Sequence, residues 1–455
     1  MTLNSEPLTL YPHQEVAVSF LAATKGGGLF DDMGLGKTAS AIRAARSLPA
    51  DHGRIIVVVP TVVLRNWERE IHAWWPEARV QVVSRGATTV DRTARVVVVT
   101  QGLLLNDSLL SQLRALRWDV CVADEAHGYR NPKAKRTQRL LARRPGVASL
   151  APVCARLWAL TGTPMVNNPT DVWTLLASLA PERLRDEAGK SMSWHAWRAR
   201  FCELAPTSYG DGWKIVGVKN TTELRQRLKG FGLRRLKGEV LDLPALRWGT
   251  VSVAASPEAL APLRALEAEV APAVMQRVRE ARDPEAVLAA LRDGDQFSRW
   301  RRACGMAKAP AAVELLDAEL EADPQHCVVV FCHHREVASA LATGLAKFGV
   351  ALVTGDVSAT QRQAAVDAFQ AGAVRVAVCQ LVAGGVGITL TRAADVVFAE
   401  QSWVPGENRQ AADRCHRIGQ TRSVLARTLV LADSIDEIVA EVVARKSAMI
   451  SAAMP

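Results

Sequence analysis

Short β-branched runs alternate with helix-period segments over the first 165 residues of the chain. The runs at 55–59 and 96–99 are apolar at every position, which is the pattern of a strand buried on both faces of a parallel sheet. Helical spacing of apolar residues separates such runs. The pattern predicts helices over 15–23, 37–48, 66–75 and 102–116, with Pro49 ending the second. It predicts strands over 26–30, 54–59, 80–83, 96–100, 120–123 and 156–160. This alternation belongs to the parallel, doubly wound α/β class.

The pattern changes after Pro169. Residues 167–237 carry helical spacing, with Trp173, Trp194, Trp197 and Trp213 read as core anchors rather than base-stacking residues. Residues 230–244 read as a linker, and Ser256-Pro-Glu258 opens helices that run to about residue 302. The α/β alternation then returns, with strands over 327–332, 350–354, 374–379, 395–399 and 424–430. A capping-box sequence, Ser434-Ile-Asp-Glu437, starts the last helix. The expected fold class is α/β, with two parallel-sheet lobes and helical protrusions inserted between them. Residues 1–240 form the first lobe, with a helical insertion at about 168–235. Residues 241–305 form a linker and helical protrusion, and 306–455 the second lobe.

Composition narrows the picture further. A chain of 455 residues exceeds what one core organises, and its longest apolar runs fall far below the roughly 18 residues of a membrane span. The first residues lack a charged region followed by an apolar one, so secretion and membrane insertion are not expected. Eight cysteines without a C-x-x-C pair point to reduced, buried thiols in a cytosol-like compartment and away from a zinc module. The net charge of +10 favours a polyanion partner. Two basic clusters stand out, one from Arg130 to Arg144 without an acidic residue and one from Arg225 to Lys237.

The candidate chemistry begins at Leu29-Phe-Asp-Asp-Met-Gly-Leu-Gly-Lys-Thr38. Gly34 and Gly36 follow an apolar run, and Lys37-Thr38 open a helix. Backbone N–H groups and a helix N-terminus cradle phosphates in such a loop, the lysine reaches the β/γ-phosphates and the hydroxyl binds Mg²⁺. The strict phosphate-loop pattern wants glycine where this chain has Asp31, so a helix-capping glycine turn is the alternative. Asp124-Glu-Ala-His127 follows a buried strand, at the end where an open α/β sheet binds its ligand. Two adjacent carboxylates there suit phosphoryl transfer to water, one directed to the metal and one to the attacking water. Leu160-Thr-Gly-Thr-Pro164 offers hydroxyls that could link nucleotide to lobe. The second lobe has Gly384-Gly-Val-Gly387 and Gln410-Ala-Ala-Asp-Arg-Cys-His-Arg417. Arg414 and Arg417, spaced i, i+3, are expected to project from one helix face, as two guanidinium groups directed at phosphates would.

Taken in order, Asp31-Asp-Met-Gly-Leu-Gly-Lys-Thr38, Asp124-Glu-Ala-His127, Leu160-Thr-Gly-Thr-Pro164, Gly384-Gly-Val-Gly-Ile-Thr-Leu390 and Asp413-Arg-Cys-His-Arg-Ile-Gly-Gln420 resemble the motifs of helicase superfamily 2, and in detail the Swi/Snf-type ATPases. That family commonly has Asp-Glu-Met-Gly-Leu-Gly-Lys-Thr, so Asp31 matches and Asp32 departs mildly. Further matches are Asn66-Trp67, Trp75-Pro76, Thr354-Gly-Asp with Arg362, Phe369-Gln370 and the Arg234-Arg-Leu-Lys linker. Trp403-Val-Pro-Gly406 is similar to the annealing-helicase branch.

The resemblance implies two RecA-like lobes and a DNA-stimulated ATPase that translocates on duplex or forked DNA, with ATP and Mg²⁺ as cofactors. It implies that Gln14 reads adenine, and that Met33, Gly34, Leu35, Gly36, Lys37, Thr38 and Gly385 surround the nucleotide. Thr38 and Asp124 would hold the metal, Glu125 would activate water, and Arg414 and Arg417 would act as fingers. His127, Thr161, Thr163 and Gln410 would couple nucleotide state to lobe closure. Pro60, Thr61, Thr100, Gln101, Cys332 to His334 and the stretch from Gly384 to Thr391 would face the DNA backbone without reading sequence. A strand-separating helicase and a nucleotide-gated DNA scaffold are the alternatives. The expected setting is a monomeric motor with replication or recombination proteins as partners, cytoplasmic and nucleoid-associated in a bacterium or phage, nuclear in a eukaryote.

Overall fold

The structure, a computed structural model, describes residues 8–49, 53–165, 168–206, 213–280, 295–381 and 388–453. The chain divides into two compact units, residues 1–241 with 453–455, and residues 242–452.

In the first unit the strands are β1 (Gly26–Leu29), β2 (Ile55–Val59), β3 (Val80–Val83), β4 (Val96–Thr100), β5 (Trp118–Asp124), β6 (Cys154–Leu160), β7 (Cys202–Pro206), β8 (Trp213–Val218) and β9 (Gly232–Leu233). Seven of them form a parallel sheet in the order β3-β4-β2-β5-β6-β1-β9. Every residue of β2 and β4 is buried, as expected of central strands covered by helices on both faces. Trp118 and Trp158 are fully buried, and their indole N–H groups donate to the carbonyls of Leu113 and Thr24. The ring area is thereby buried without leaving a donor unsatisfied.

Strand β1 is Gly-Gly-Gly-Leu because the helix Trp173–Leu179 ends against it. A Cβ at Gly26 would stand 2.4 Å from the carbonyl oxygen of Leu179.

The second unit contains β10 (Leu246–Val253), β11 (Val328–Cys332), β12 (Val350–Val353), β13 (Val376–Gln380), β14 (Asp395–Phe398) and β15 (Val424–Leu431). They form a second parallel sheet in the order β10-β15-β14-β11-β13-β12. Two long helices, Pro257–Glu280 and Asp295–Ala322, precede β11. From the second of these, Ala312, Leu316 and Leu320 pack with Val328 and Val330 in one core. Phe331 and Phe398 stack at 5.4 Å, and Trp248 stacks on Phe398 at 5.7 Å. Each unit is thus the parallel α/β lobe expected. No helix among the described residues is long and apolar enough to cross a membrane.

Four local expectations fail. The helix expected over 102–116 is a short turn, Gln101–Leu105, followed by the helix Asp107–Arg114. Asn106 breaks it, its side chain accepting from the backbone N–H of Leu109 as an N-cap. The stretch expected to be helical after residue 167 contains the antiparallel pair β7-β8. Trp213, read as a core anchor, lies on that ribbon and is 58% exposed. The segment assigned to the linker includes β10, which pairs with β15 along its whole length. Most of its side chains are exposed or half-buried at the sheet edge, so the apolar alternation that marks a strand is weak there.

Gly26→Ala is expected to lower stability by about 1–3 kcal/mol, because the helix terminus must move to admit the methyl group. The free energy of urea unfolding checks this, and a change within about 0.5 kcal/mol would contradict the steric argument.

Candidate functional site

Parallel pairing aligns the strand ends of the first unit. Leu29 of β1 is in register with Leu160 of β6, which is in register with Asp124 of β5. On the other side, Val58 faces Ala123 and Val59 faces Thr100. The loops after β4, β2, β5, β6 and β1 therefore leave the sheet along one edge. This edge gathers Gln101, Pro60, Glu125, Thr161 and the loop from Phe30 to Gly36.

That loop leads into the helix Lys37–Ser47. Gly34 and Gly36 have φ of 86° and 79°, left-handed values that glycine adopts without steric cost. A Cβ at Gly36 would also stand 2.0 Å from Nε2 of Gln14. The buried Gln14 holds the loop from the other side, since its Nε2 donates to the carbonyl of Leu35 at 3.1 Å and its Oε1 accepts from the Tyr11 N–H. His13 Nε2 donates to the same Leu35 carbonyl. Met33 packs beside Gly162, where a Cβ would stand 2.9 Å from its Cγ. Leu35 is buried and Thr38 half-buried, in the first turn of the helix. The Lys37 ammonium donates to the carbonyls of Asp31 (2.7 Å) and Asp32 (3.2 Å).

Burial lowers the Lys37 pKa, opposed by the charges of Glu125, Asp31, Asp124 and Asp32. Burial together with Glu125 pushes Asp124 up to about 6. One Asp124 oxygen accepts from the Trp67 indole at 2.7 Å and the other from the backbone N–H of Glu125 at 2.9 Å. Gln101 donates to the Asp124 carbonyl. Glu125 has a left-handed backbone (φ 48°), unusual outside glycine and common where function requires it. Its carboxylate lies 3.3 Å from His127 Nδ1, which lies 3.1 Å from the Thr161 hydroxyl; that hydroxyl accepts from the Thr163 N–H. Lys37, Asp124, Glu125, His127, Thr161 and Thr163, singled out separately in the sequence, are thus brought to one edge. A lysine among several carboxylates, beside glycine turns and a helix N-terminus, is a donor set that fits a phosphate chain and a divalent cation.

In the second unit Gln410 and Arg414 are buried. The expected single helix face is not found. The helix Pro405–Ala412 ends before either arginine, and both lie in the turns that follow. Gln420 enforces this, because its Nε2 donates to the carbonyls of Cys415, Thr391 and Ala393 and draws the chain away from helical geometry. Arg417 donates to the Asp413 and Ile388 carbonyls and to the Thr389 hydroxyl, while the Leu390 N–H donates to the Arg414 carbonyl. Gly385 and its neighbours 382–387 lie outside the described residues.

The carboxyl edge of the second sheet is also tied by buried polar groups. Glu400 is 4% exposed, and its carboxylate accepts from the backbone N–H groups of His333 and His334 and from the His334 ring. Gln380 donates to the His333 carbonyl and accepts from the Gly355 N–H. Burial raises the Glu400 pKa, but the hydrogen bonds from His334 and the two N–H groups leave it below the usual carboxylate range. Glu319, His326 and Asp395 have metal-like spacing, yet Arg427 bridges Glu319 and Asp395, which makes them an ion-pair network.

The basic clusters divide. Arg130, Lys133, Lys135, Arg136, Arg143 and Arg144 are exposed, and Arg139 pairs with Asp107. The cluster from Arg225 to Lys237 is largely structural. Arg227 binds Glu223 and the carbonyls of Arg183 and Arg185, Arg235 binds Asp31, and Lys237 is buried. Trp67, noted only as part of a motif, turns out to orient Asp124, and its 57-residue separation from that carboxylate hides the contact from a linear reading.

Burial, with Arg301 and His334 nearby, pushes His333 down to about 4. Between about pH 6.5 and 4 the unfolded chain takes up a proton that the folded one refuses, so stability falls as pH falls. Glu400 acts in the same direction, its contribution being present above its unfolded value and lost on acidification. His333→Asn is expected to remove about 1–2 kcal/mol of the acid-induced loss, allowing for screening at a half-exposed site. Urea unfolding of both proteins at pH 7 and pH 4.5 measures it, and an unchanged difference would refute the assignment.

The description "SNF2-related domain" matches residues 13–258, and "Helicase conserved C-terminal domain" matches 311–419. The mouse "DNA annealing helicase and endonuclease ZRANB3" is 29% identical over 96% of this chain and 40% of that protein. The Xenopus tropicalis "SWI/SNF-related matrix-associated actin-dependent regulator of chromatin subfamily A-like protein 1" is 31% identical over 94% of this chain and 43% of that one. The chain therefore spans about two fifths of the length of these relatives. The "Sulfolobus solfataricus SWI2/SNF2 ATPase core in complex with dsDNA" aligns with a TM-score of 0.45 and 23% identity over 99% of this chain and 94% of that one. The family model covers more than half of the chain and includes the whole glycine-loop edge of the first unit, so the chain belongs to the SNF2-related family.

Proposed function

We propose that the protein is an ATP hydrolase stimulated by DNA, which moves on duplex or forked DNA and remodels DNA or protein–DNA complexes. The observation that carries this reading is the aligned strand edge of the first unit, which places Lys37 with Asp124 and Glu125 beside the Gly34/Gly36 loop. The names of the relatives, a DNA annealing helicase among them, support the same reading.

In this reading the N–H groups at the start of the helix Lys37–Ser47 and the Lys37 ammonium bind the phosphates. Lys37 exchanges its hydrogen bonds to the Asp31 and Asp32 carbonyls for phosphate oxygens. Gln14 closes the nucleotide pocket at Leu35. Thr38 and Asp124 would hold Mg²⁺, which when bound would supply charge neutralisation of the phosphates. Glu125 takes the proton of the attacking water, with His127 beside its carboxylate and itself held by the Thr161 hydroxyl. Arg414 and Arg417 serve hydrolysis, as the resemblance implies. The exposed basic residues from Arg130 to Arg144 and the edge at Pro60, Thr61 and Gln101 contact the DNA backbone. Such contact is independent of sequence and weakens with salt.

ATPase assays with single-stranded, duplex and forked DNA and with RNA test the proposal. Duplex or forked DNA is expected to stimulate most, and stimulation by single strands alone would overturn the translocase reading. Lys37→Ala is expected to abolish turnover. Glu125→Gln is expected to lower kcat by about 100-fold or more while nucleotide binding persists, because only proton transfer is removed. Full activity in either variant would refute the assigned roles.

Trp67→Phe keeps the buried ring and loses the N–H that orients Asp124. It is expected to weaken the apparent Mg²⁺ affinity by about 10–100-fold, the usual effect of losing a group that orients a metal ligand. A Mg²⁺ titration of ATPase activity reads this directly.

A further inference from the structure

Asp31 occupies the position where a plain phosphate loop has glycine, and the linker motif Arg234-Arg-Leu-Lys237 has so far no chemical role. The structure joins the two. Asp31 is 1% exposed, and Arg235 grips both its oxygens, Nε at 3.0 Å from Oδ1 and Nη2 against Oδ2. The remaining Nη1 donates to the carbonyl of His13, beside Gln14. The backbone reinforces this clasp. Strand β9 pairs with β1, the Phe30 N–H donates to the Leu233 carbonyl, and the Asp32 N–H donates to the Arg235 carbonyl. The Lys237 N–H donates to the Asp32 carboxylate at 3.2 Å. Residues 232–237 thus track the glycine loop residue by residue, and five residues later the chain passes into the second unit at Asp242.

The same two loop residues, Asp31 and Asp32, also hold Lys37 through their carbonyls. A shift of Lys37 toward phosphate removes those bonds from one side of a peptide segment whose other side is bonded to Arg235 and Lys237. We propose that Arg235 is a positioning residue that transmits the nucleotide state of the loop to the segment leading out of the first unit, with Asp31 as its anchor. This deepens the ATPase reading and rests on it. The planar guanidinium is suited to the task, because it bridges both carboxylate oxygens and a carbonyl at once, which an ammonium cannot do.

Amide hydrogen exchange over residues 232–240 of the full chain, with and without a non-hydrolysable ATP analogue, tests the proposal. In the unaltered protein the analogue is expected to change exchange there by about fivefold or more, in the range of ordinary coupling between sites. Arg235→Gln is expected to bind the analogue within a few-fold of normal affinity while its 232–240 amides no longer respond. Asp31→Asn, read at analogue concentrations that saturate its own binding, should also lose the response, and Arg235→Lys should restore part of it. A merely structural clasp would instead raise exchange equally with and without nucleotide in these variants and leave the response intact, which would overturn the proposal. So would an unaltered protein that binds the analogue without any response at 232–240. If Arg235→Gln does not fold, Arg235→Lys and Asp31→Asn decide by the same criterion. Failure of the unaltered protein to bind or hydrolyse ATP would instead refute the underlying reading, with Lys37→Ala as the control for binding at the loop.

Discussion

The structure depends on a constraint of parallel sheets covered on both faces: their polar chemistry can surface only at strand ends. In the first unit β2, β5 and β6 are buried through their middles, so the ionisable groups of the site lie at or beyond their ends, Asp124 as the last residue of β5. The register of Leu29, Leu160 and Asp124 then decides which ends are level. Once they are level, the backbone N–H groups after β1 and the carboxylates after β5 face a common space. Burial penalises the charges gathered there: Lys37 is lowered by burial, which its carboxylate neighbours oppose, and Asp124 is raised by burial and by the charge of Glu125. Such opposed shifts at adjacent groups mark a site prepared for a charged ligand rather than one optimised for folding.

The second unit follows the same rule with different side chains. Cys332 is in register with Gln380, and Phe331 with Phe398. The loops after β11, β13 and β14 therefore also emerge together. No lysine or glycine loop marks this edge among its described residues. Glu400 and Gln380 fasten the His333 backbone by its N–H and its carbonyl respectively. A buried carboxylate that accepts three hydrogen bonds is costly to remove and rigid while present. The backbone at His333, in a segment expected to meet DNA, is thus fixed by the buried Glu400 and the half-buried Gln380.

How much of this was legible in the sequence depends on the range of the interaction that produces each feature. The buried strands and the phosphate loop were legible because burial on both faces and glycine conformation leave their mark on contiguous residues. The end of the helix Pro405–Ala412 was not, because Gln420 fixes the turns after it through the carbonyls of Thr391 and Ala393, almost thirty residues back in the chain. The break at Asn106 depends on a side chain that serves equally well inside a polar loop. Strand β10 carries Arg247, Thr250 and Ser252 toward solvent, so its identity rests on pairing with β15 across more than 170 residues of chain. Basic residues were the least legible. Arg143 and Arg235 look alike in sequence, yet one is exposed and the other is committed to a buried carboxylate.

That commitment has an energetic meaning. A buried ion pair gains little over a well-packed apolar pair, since desolvation of both ions offsets their attraction, whereas loss of one partner leaves a buried charge at a cost of about 3–5 kcal/mol. The pair Asp31–Arg235 is therefore a poor device for stability and a good one for enforcing a particular arrangement. Only when residues 232–237 lie along β1 can the Asp31 carboxylate tolerate its position inside the loop. A glycine there, as in a plain phosphate loop, would make the cradle indifferent to the segment that follows β9. With aspartate, the conformation that receives phosphate and the path by which the chain leaves the unit become conditions on each other.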